Sequence, residues 1–273
     1  MSELALHFET RPSEIPLVLL PAFPFDARMW TSAVRELSTD AIRVDPPGFG
    51  DSAPAHVIAT RYGSASDSSL DQYADSLVAA LDEIKVDKVV LAGASMGGYA
   101  AMCFAQRHPE RVAGIGLVGT KASADPAEVA EERIRMAQAA EENLDHIAGV
   151  PLVVLAERMV SPVTRREDEE LYESIENWLE QAPAPAIAWA QRAMAARPDR
   201  LGVLKRLNIP ALVVRGSDDI ICSREEHTAM AEALGVHLHE IDRAGHLVAV
   251  EAPRRMAHLL DELLMRATSH AAR

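Results

Sequence analysis

The stretch "KVVLAGASMGGYAAMCFAQR" (88–107) constrains the fold more than any other part of the chain. A β-branched apolar run passes directly into Gly93-Ala94-Ser95-Met96-Gly97, and a helical pattern begins at once on the far side. A strand can turn into a helix over so few residues only through a very sharp bend. Such a bend strains the backbone of its central residue and leaves no room for side chains on either flank, which suits glycine at 93 and 97. The Ser95 hydroxyl is then lifted beyond the strand end, beside helix N-terminal amides that favour negative charge. Serine is also a common helix N-cap, so the surroundings must decide whether Ser95 is a nucleophile or a cap.

Around this elbow, short apolar runs alternate with helical patterns, the order expected of a mostly parallel sheet flanked by helices. "IPLVLL" (15–20), "AIRVD" (41–45), "VDKVVLAG" (86–93), "RVAGIGLVG" (111–119), "IPALVVRG" (209–216) and "VHLHEI" (236–241) read as strands. Most are continuous apolar runs, as in strands covered on both faces, whereas "LALHFE" (4–9) alternates and suits an antiparallel edge. Helices are predicted at "ARMWTSAVREL", "LDQYADSLVAALDEI", "SMGGYAAMCFAQR", "REEHTAMAEAL" and "PRRMAHLLDELLMRA". "APAHVIATRYGSASDSS" (53–69) is small, polar and turn-rich, and reads as a mobile surface loop.

The alternation breaks between Lys121 and Arg197. There "ADPAEVAEERIRMAQAAEENLDHI" and "RREDEELYESIENWLEQ" are helical patterns, "VPLVVLAERMV" is read as helix or turn, and prolines mark the joints. The expected organisation is an α/β core over residues 1–120 and 198–273, with a helical insertion over 121–197. Charge marks the same segment: 15 acidic and 5 basic residues lie between Asp125 and Glu180, giving −10 of the chain's net −14. So acidic a chain is unsuited to nucleic acid, which needs a basic face. The two cysteines, Cys103 and Cys222, suggest no disulfide framework. With no signal-like N-terminal pattern and no apolar run of membrane-spanning length, a cytoplasmic protein is expected. Neither "GASMGG" nor "DPPGFGDS" has the form of a P-loop or a dinucleotide fingerprint, so no cofactor is expected, nor is a metal. The pattern does not set an oligomeric state.

A nucleophilic serine needs a base and an acid to orient it, carried on loops after later strands, acid first and histidine second. "SDDI" follows "ALVVRG", and "RAGHLVAVEAP" follows the last predicted strand, so His246 stands in the loop where a base is needed. His237 and His239 fall in a predicted strand, His108 ends a helix and His258 lies on one, so these read as structural.

The four motifs "DPPGFGDS" (45–52), "GASMGG" (93–98), "VVRGSDDI" (213–220) and "AGHLVAVEAP" (244–253), in this order, resemble the α/β-hydrolase superfamily over nearly the whole chain. Within it the chain is most similar to small capped esterases and lactonases, including the 3-oxoadipate enol-lactonase-like group. The resemblance implies an α/β-hydrolase fold with a helical cap, and favours Asp219 over Asp218 as the acid. It also implies an oxyanion hole from the backbone N–H groups of Phe23 and Met96. Relatives commonly show His-Gly after the first central strand, where this chain has Pro21-Ala22, but neither donor is a proline. Met159, Trp178 and Trp189 of the insertion are candidates to line a substrate pocket; packing is the preferred reading for Trp178, and Trp189 is retained as the pocket residue. The expected activity is metal-free serine hydrolysis of small carboxylic esters or lactones. Alternatives are C–C bond hydrolysis or a lyase reaction on the same triad, a perhydrolase activity, and a non-catalytic ligand-binding receptor. An acidic cap disfavours multiply charged anions unless a buried Arg133, Arg192 or Arg197 offsets it.

Overall fold

A computed structural model describes residues 3–10, 12–62, 68–142 and 152–272. Its centre is a seven-stranded sheet of β1 (Leu6–His7), β2 (Leu17–Leu20), β3 (Ala41–Val44), β4 (Val89–Ala94), β5 (Val112–Val118), β6 (Ala211–Gly216) and β7 (Leu238–Ile241), in the order β1-β3-β2-β4-β5-β6-β7. Only the β1–β3 pair is antiparallel, as the alternating "LALHFE" implies. The central strands β2, β4, β5 and β6 are buried throughout, consistent with helices on both faces. Two strands begin later than the apolar runs suggest because Pro16 and Pro210 precede them. Each proline lacks the N–H that a ladder needs, yet its carbonyl still accepts from the next strand, Val90 and Ile115 respectively.

The helices are α1 (Thr31–Val34), α2 (Ala55–Tyr62), α3 (Leu70–Glu83), α4 (Met96–Arg107), α5 (Ala127–Glu142), α6 (Leu152–Met159), α7 (Pro162–Glu167), α8 (Glu169–Glu180), α9 (Ala184–Ala195), α10 (Leu201–Leu204), α11 (Arg224–Leu234), α12 (Val248–Glu251) and α13 (Pro253–Ala271). Two expectations are corrected. "ARMWTSAVREL" is a 3₁₀ turn over Ala27–Trp30, the short α1, and then further i→i+3 turns, started by the Asp26 carboxylate accepting from the Arg28 amide. The stretch read as a loop at 53–69 contains α2, whose Ala55, Ile58 and Ala59 are buried at i, i+3, i+4 spacing; residues 63–67 lie outside the described residues. Within "VPLVVLAERMV", Leu152–Met159 form α6, residues 150–151 lying outside the described residues, and "RREDEELYESIENWLEQ" divides at Asp168, whose carboxylate caps α8 at the Leu171 amide. The end of the first acidic pattern, from residue 143, lies outside the described residues.

Between β5 and β6 the described chain is helical, α5 through α10, with no strand. One carboxylate pins both ends of this insertion. Asp125 receives Arg133 Nε at 2.6 Å, Arg197 Nη1 and Nη2 at 2.5 and 2.8 Å, and Lys121 Nζ at 3.3 Å. The Arg197 guanidinium also lies 4.0 Å over the Tyr99 ring of α4, which ties the insertion to the helix behind the elbow. Burial pushes the Asp125 carboxyl up, but the hydrogen bonds and charges of Arg197 and Arg133 outweigh it and hold the group well below the usual carboxylate range. Among the described residues no helix is long and apolar enough to cross a membrane.

Candidate active site

Parallel strands share one carboxyl edge, and Phe23, Ser95, Asp219 and His246 lie in loops leaving that edge, whereas Met96 opens α4 and Trp189 lies within α9. Ser95 follows β4 with φ 49° and ψ −113°, a left-handed conformation that costs a non-glycine residue about 1–3 kcal/mol. The backbone around it is full. A Cβ on Gly93 would lie 2.1 Å from the Gly97 carbonyl oxygen, and one on Gly97 would lie 2.3 Å from that of Leu20. The Ser95 amide donates to Val118 O at 2.9 Å, and Thr120 Oγ1 donates to Ser95 O at 2.7 Å, which fixes the turn against the end of β5. Although Ser95 occupies the N-cap position of α4, its side chain makes no cap hydrogen bond. The strain is therefore not explained by helix capping.

Asp219 and His246 meet each other. His246 Nδ1 and Asp219 Oδ2 are 3.0 Å apart, and both side chains are almost fully buried. The other carboxylate oxygen, Oδ1, accepts from the amides of Ile221 at 2.8 Å and Cys222 at 3.1 Å. Burial pushes the Asp219 carboxyl up; the facing imidazole and these two amides more than offset it, so the group sits below its ordinary range. The neighbouring Asp218 accepts from Ser217 Oγ at 3.1 Å instead, which selects Asp219 of the two. The Arg215 guanidinium, donating to the carbonyls of Ser217 and Asp219, props up this acid loop from below. Gly119 closes the gap between the pair and the elbow: a Cβ there would lie 3.4 Å from His246 Nδ1, while the next residue is the Thr120 that binds Ser95 O. Among the described residues no hydrogen bond joins Ser95 Oγ to the imidazole.

The Phe23 amide follows β2 and the Met96 amide opens α4; among the described residues neither has a protein acceptor. Phe25, in the same loop as Phe23, meets the Trp178 ring edge-on at 6.1 Å, so Trp178 packs against the core and not only against its own helices. Trp189 lies edge-on to Tyr73 and lines a cleft of about 400 Å³ between α9 and α2 whose walls do not include Ser95. Met159 contributes its backbone, its carbonyl accepting from the amides of His246 and Leu247.

Asp219, Cys222 and His246 place possible ligand atoms within 4.8 Å of one another. Asp219 and His246 are spent on each other, and burial raises the Cys222 thiol so that it stays protonated, a donor set better suited to proton transfer than to a metal. Sequence reasoning did not find Thr120 or Arg215. Each acts through the backbone of another residue, and nothing in its own neighbourhood announces that.

Residues 15–253 match the family described as the alpha/beta hydrolase fold, and the chain belongs to this family. A relative named 3-oxoadipate enol-lactonase 2, from Acinetobacter baylyi, is 26% identical over 72% of this chain and 71% of its own. A 2-hydroxy-6-oxononadienedioate/2-hydroxy-6-oxononatrienedioate hydrolase from Burkholderia vietnamiensis is 28% identical over 97% of this chain and 92% of its own. Among solved structures, a thermophilic esterase from Thermogutta terrifontis, described as malate bound, superimposes with a TM-score of 0.86 at 32% identity, covering 97% of this chain and 93% of that one. Enzymes with esterase, lactonase and dienedioate-hydrolase names therefore share this fold.

Proposed function

We propose that the protein is a serine hydrolase of small carboxylic esters or lactones. The observation that carries this reading is the buried His246–Asp219 pair beside a strained serine whose hydroxyl caps nothing. A strain of this size persists where the bent backbone aims a side chain. In the proposed cycle the Ser95 hydroxyl turns to His246 Nε2, a hydrogen bond of the kind that often forms only once substrate is bound. His246 takes the proton as Ser95 Oγ attacks the carbonyl carbon, and Asp219 stabilises the imidazolium. The carbonyl oxygen, now negative, is received by the Phe23 and Met96 amides. Collapse expels the alcohol, which takes the proton from His246 and leaves an acyl-enzyme. Water, deprotonated by His246, then releases the acid and restores Ser95.

The helical insertion over 121–197 is proposed as a cap over the site. Its acidity disfavours multiply charged substrates, and the arginines that could reverse this are committed elsewhere. Arg133 and Arg197 both bind Asp125, and Arg192 pairs with Glu141 at 2.7 Å. A neutral ester or lactone fits these charges better than a dicarboxylate. The esterase and lactonase names of the relatives above support an ester or lactone bond as the target, whereas the preference for a neutral substrate rests on the cap charge alone.

Hydrolysis of p-nitrophenyl esters from acetate to decanoate, with γ- and δ-lactones in parallel, tests the reading. Turnover of esters or lactones that is absent in Ser95→Ala is expected. Turnover of 2-hydroxy-6-oxodienoates with no ester or lactone hydrolysis would replace it with C–C bond cleavage. Tight binding without turnover of either class would point to a receptor.

A further inference from the structure

Five residues after His246 the chain places a half-buried carboxylate, Glu251, at the end of α12. Three donors converge on it. Oε1 accepts from the Gly245 amide at 2.8 Å, and Oε2 accepts from the Ser161 amide and from Thr164 Oγ1, both at 2.7 Å. Gly245 immediately precedes His246, whereas Ser161 and Thr164 belong to the start of α7 in the insertion. The two backbones lie so close that a Cβ on Gly245 would sit 2.6 Å from the Ser161 nitrogen. Met159 O adds two bonds of the same sense, accepting from the His246 amide at 2.9 Å and the Leu247 amide at 3.1 Å. The loop carrying His246 is thus fastened to residues 159–164, and Glu251 is the joint.

We propose that Glu251 is a positioning residue for His246, holding the loop of the base in register with the cap. This rests on reading Ser95, His246 and Asp219 as the catalytic set. Only an acceptor with two oxygens and no donor can take three converging N–H and O–H groups. Glutamine would turn an amide NH₂ toward one side of the joint and break either the Gly245 bond or the Ser161–Thr164 bonds. Burial pushes the Glu251 carboxyl above its ordinary range, and the Ser161, Thr164 and Gly245 donors oppose that shift. A carboxylate held by three donors at 2.7–2.8 Å in the histidine loop is well placed to fix geometry. A base displaced by about 1 Å loses rate on the order of a hundredfold.

The test measures kcat and KM of Glu251→Gln and Thr164→Val on a p-nitrophenyl ester, normalised to sites titrated with a fluorophosphonate. A fall in kcat per site of about tenfold or more for Glu251→Gln is expected, with a smaller fall for Thr164→Val and KM nearly unchanged in both. Their effects should combine less than additively because they break the same joint. A role confined to stability would lower Tm and the number of titratable sites but leave kcat per site within about twofold of wild type, and that result overturns the proposal. If Glu251→Gln does not fold, Thr164→Val decides by the same criterion. Wild-type protein that neither labels nor turns over would overturn the catalytic reading, and this one with it.

Discussion

Replacing Gly97 by alanine tests how firmly the elbow is seated. The new Cβ would lie 2.3 Å from Leu20 O and 2.8 Å from Pro21 O. A comfortable contact is about 3.5 Å, so the first turn of α4 and the end of β2 must separate by roughly 1 Å. Both obstacles are backbone, and no side chain can rotate out of the way. Overpacking of this kind costs about 1–3 kcal/mol. In a chain of this size each kcal/mol lowers Tm by about 2–4 °C. The catalytic cost is larger, because Met96 and Phe23 lie on the two pieces being pushed apart and their amides are the proposed oxyanion donors. A misplacement of about 1 Å is expected to lower kcat on the order of a hundredfold. Thermal denaturation and ester hydrolysis on the same preparation read both effects. Gly202→Ala is the control: the nearest atom to its Cβ is Arg206 Nη1 at 3.7 Å, and the substitution should be neutral or slightly stabilising. A Gly97→Ala protein with wild-type Tm and kcat would refute the account of the elbow.

Asp219→Asn should lower kcat by about four orders of magnitude by removing the charge that orients His246, whereas Asp218→Asn, at the Ser217 hydroxyl, should stay within a few-fold. Because the folded-state pKa of Asp125 is depressed, its contribution to stability is fully present above the ordinary carboxylate range and is lost as pH falls below that range toward the depressed folded value. Asp125→Asn should therefore cost about 3 kcal/mol near pH 7 by leaving buried Arg197 without its partner, and the penalty should shrink toward pH 3 in denaturant titrations. Trp178→Ala removes the edge-on contact to Phe25 and should lower Tm by several degrees while KM stays within about twofold, measured by thermal denaturation and initial rates on a p-nitrophenyl ester.

What the sequence disclosed about the fold followed from chemistry that repeats locally. Continuous apolar runs such as "KVVLAG" and "ALVVRG" admit few structures other than buried parallel strands, and glycine at 93 and 97 marks an elbow that leaves no room for side chains. Helix α2 was hidden because its buried face is made of Ala55, Ile58 and Ala59 amid residues whose composition suits a loop. The resemblance already favours Asp219 over Asp218, and the turn supplies the physical reason: the Asp218 amide donates to Ala244 O and its carboxylate accepts from Ser217 Oγ, while the Asp219 carboxylate faces His246. The Glu251 joint was illegible for a different reason. Its donors Ser161 and Thr164 lie 90 and 87 positions away, in a segment that composition marks only as acidic and helical.

The most direct measurement treats wild type, Ser95→Ala and His246→Ala with a fluorophosphonate and reads the adducts by intact mass. A single adduct on wild type, none on Ser95→Ala and a rate reduced by orders of magnitude on His246→Ala is the expected result. Folded wild-type protein that takes no adduct, or one that labels equally well without Ser95, would contradict the assignment of Ser95 as the nucleophile.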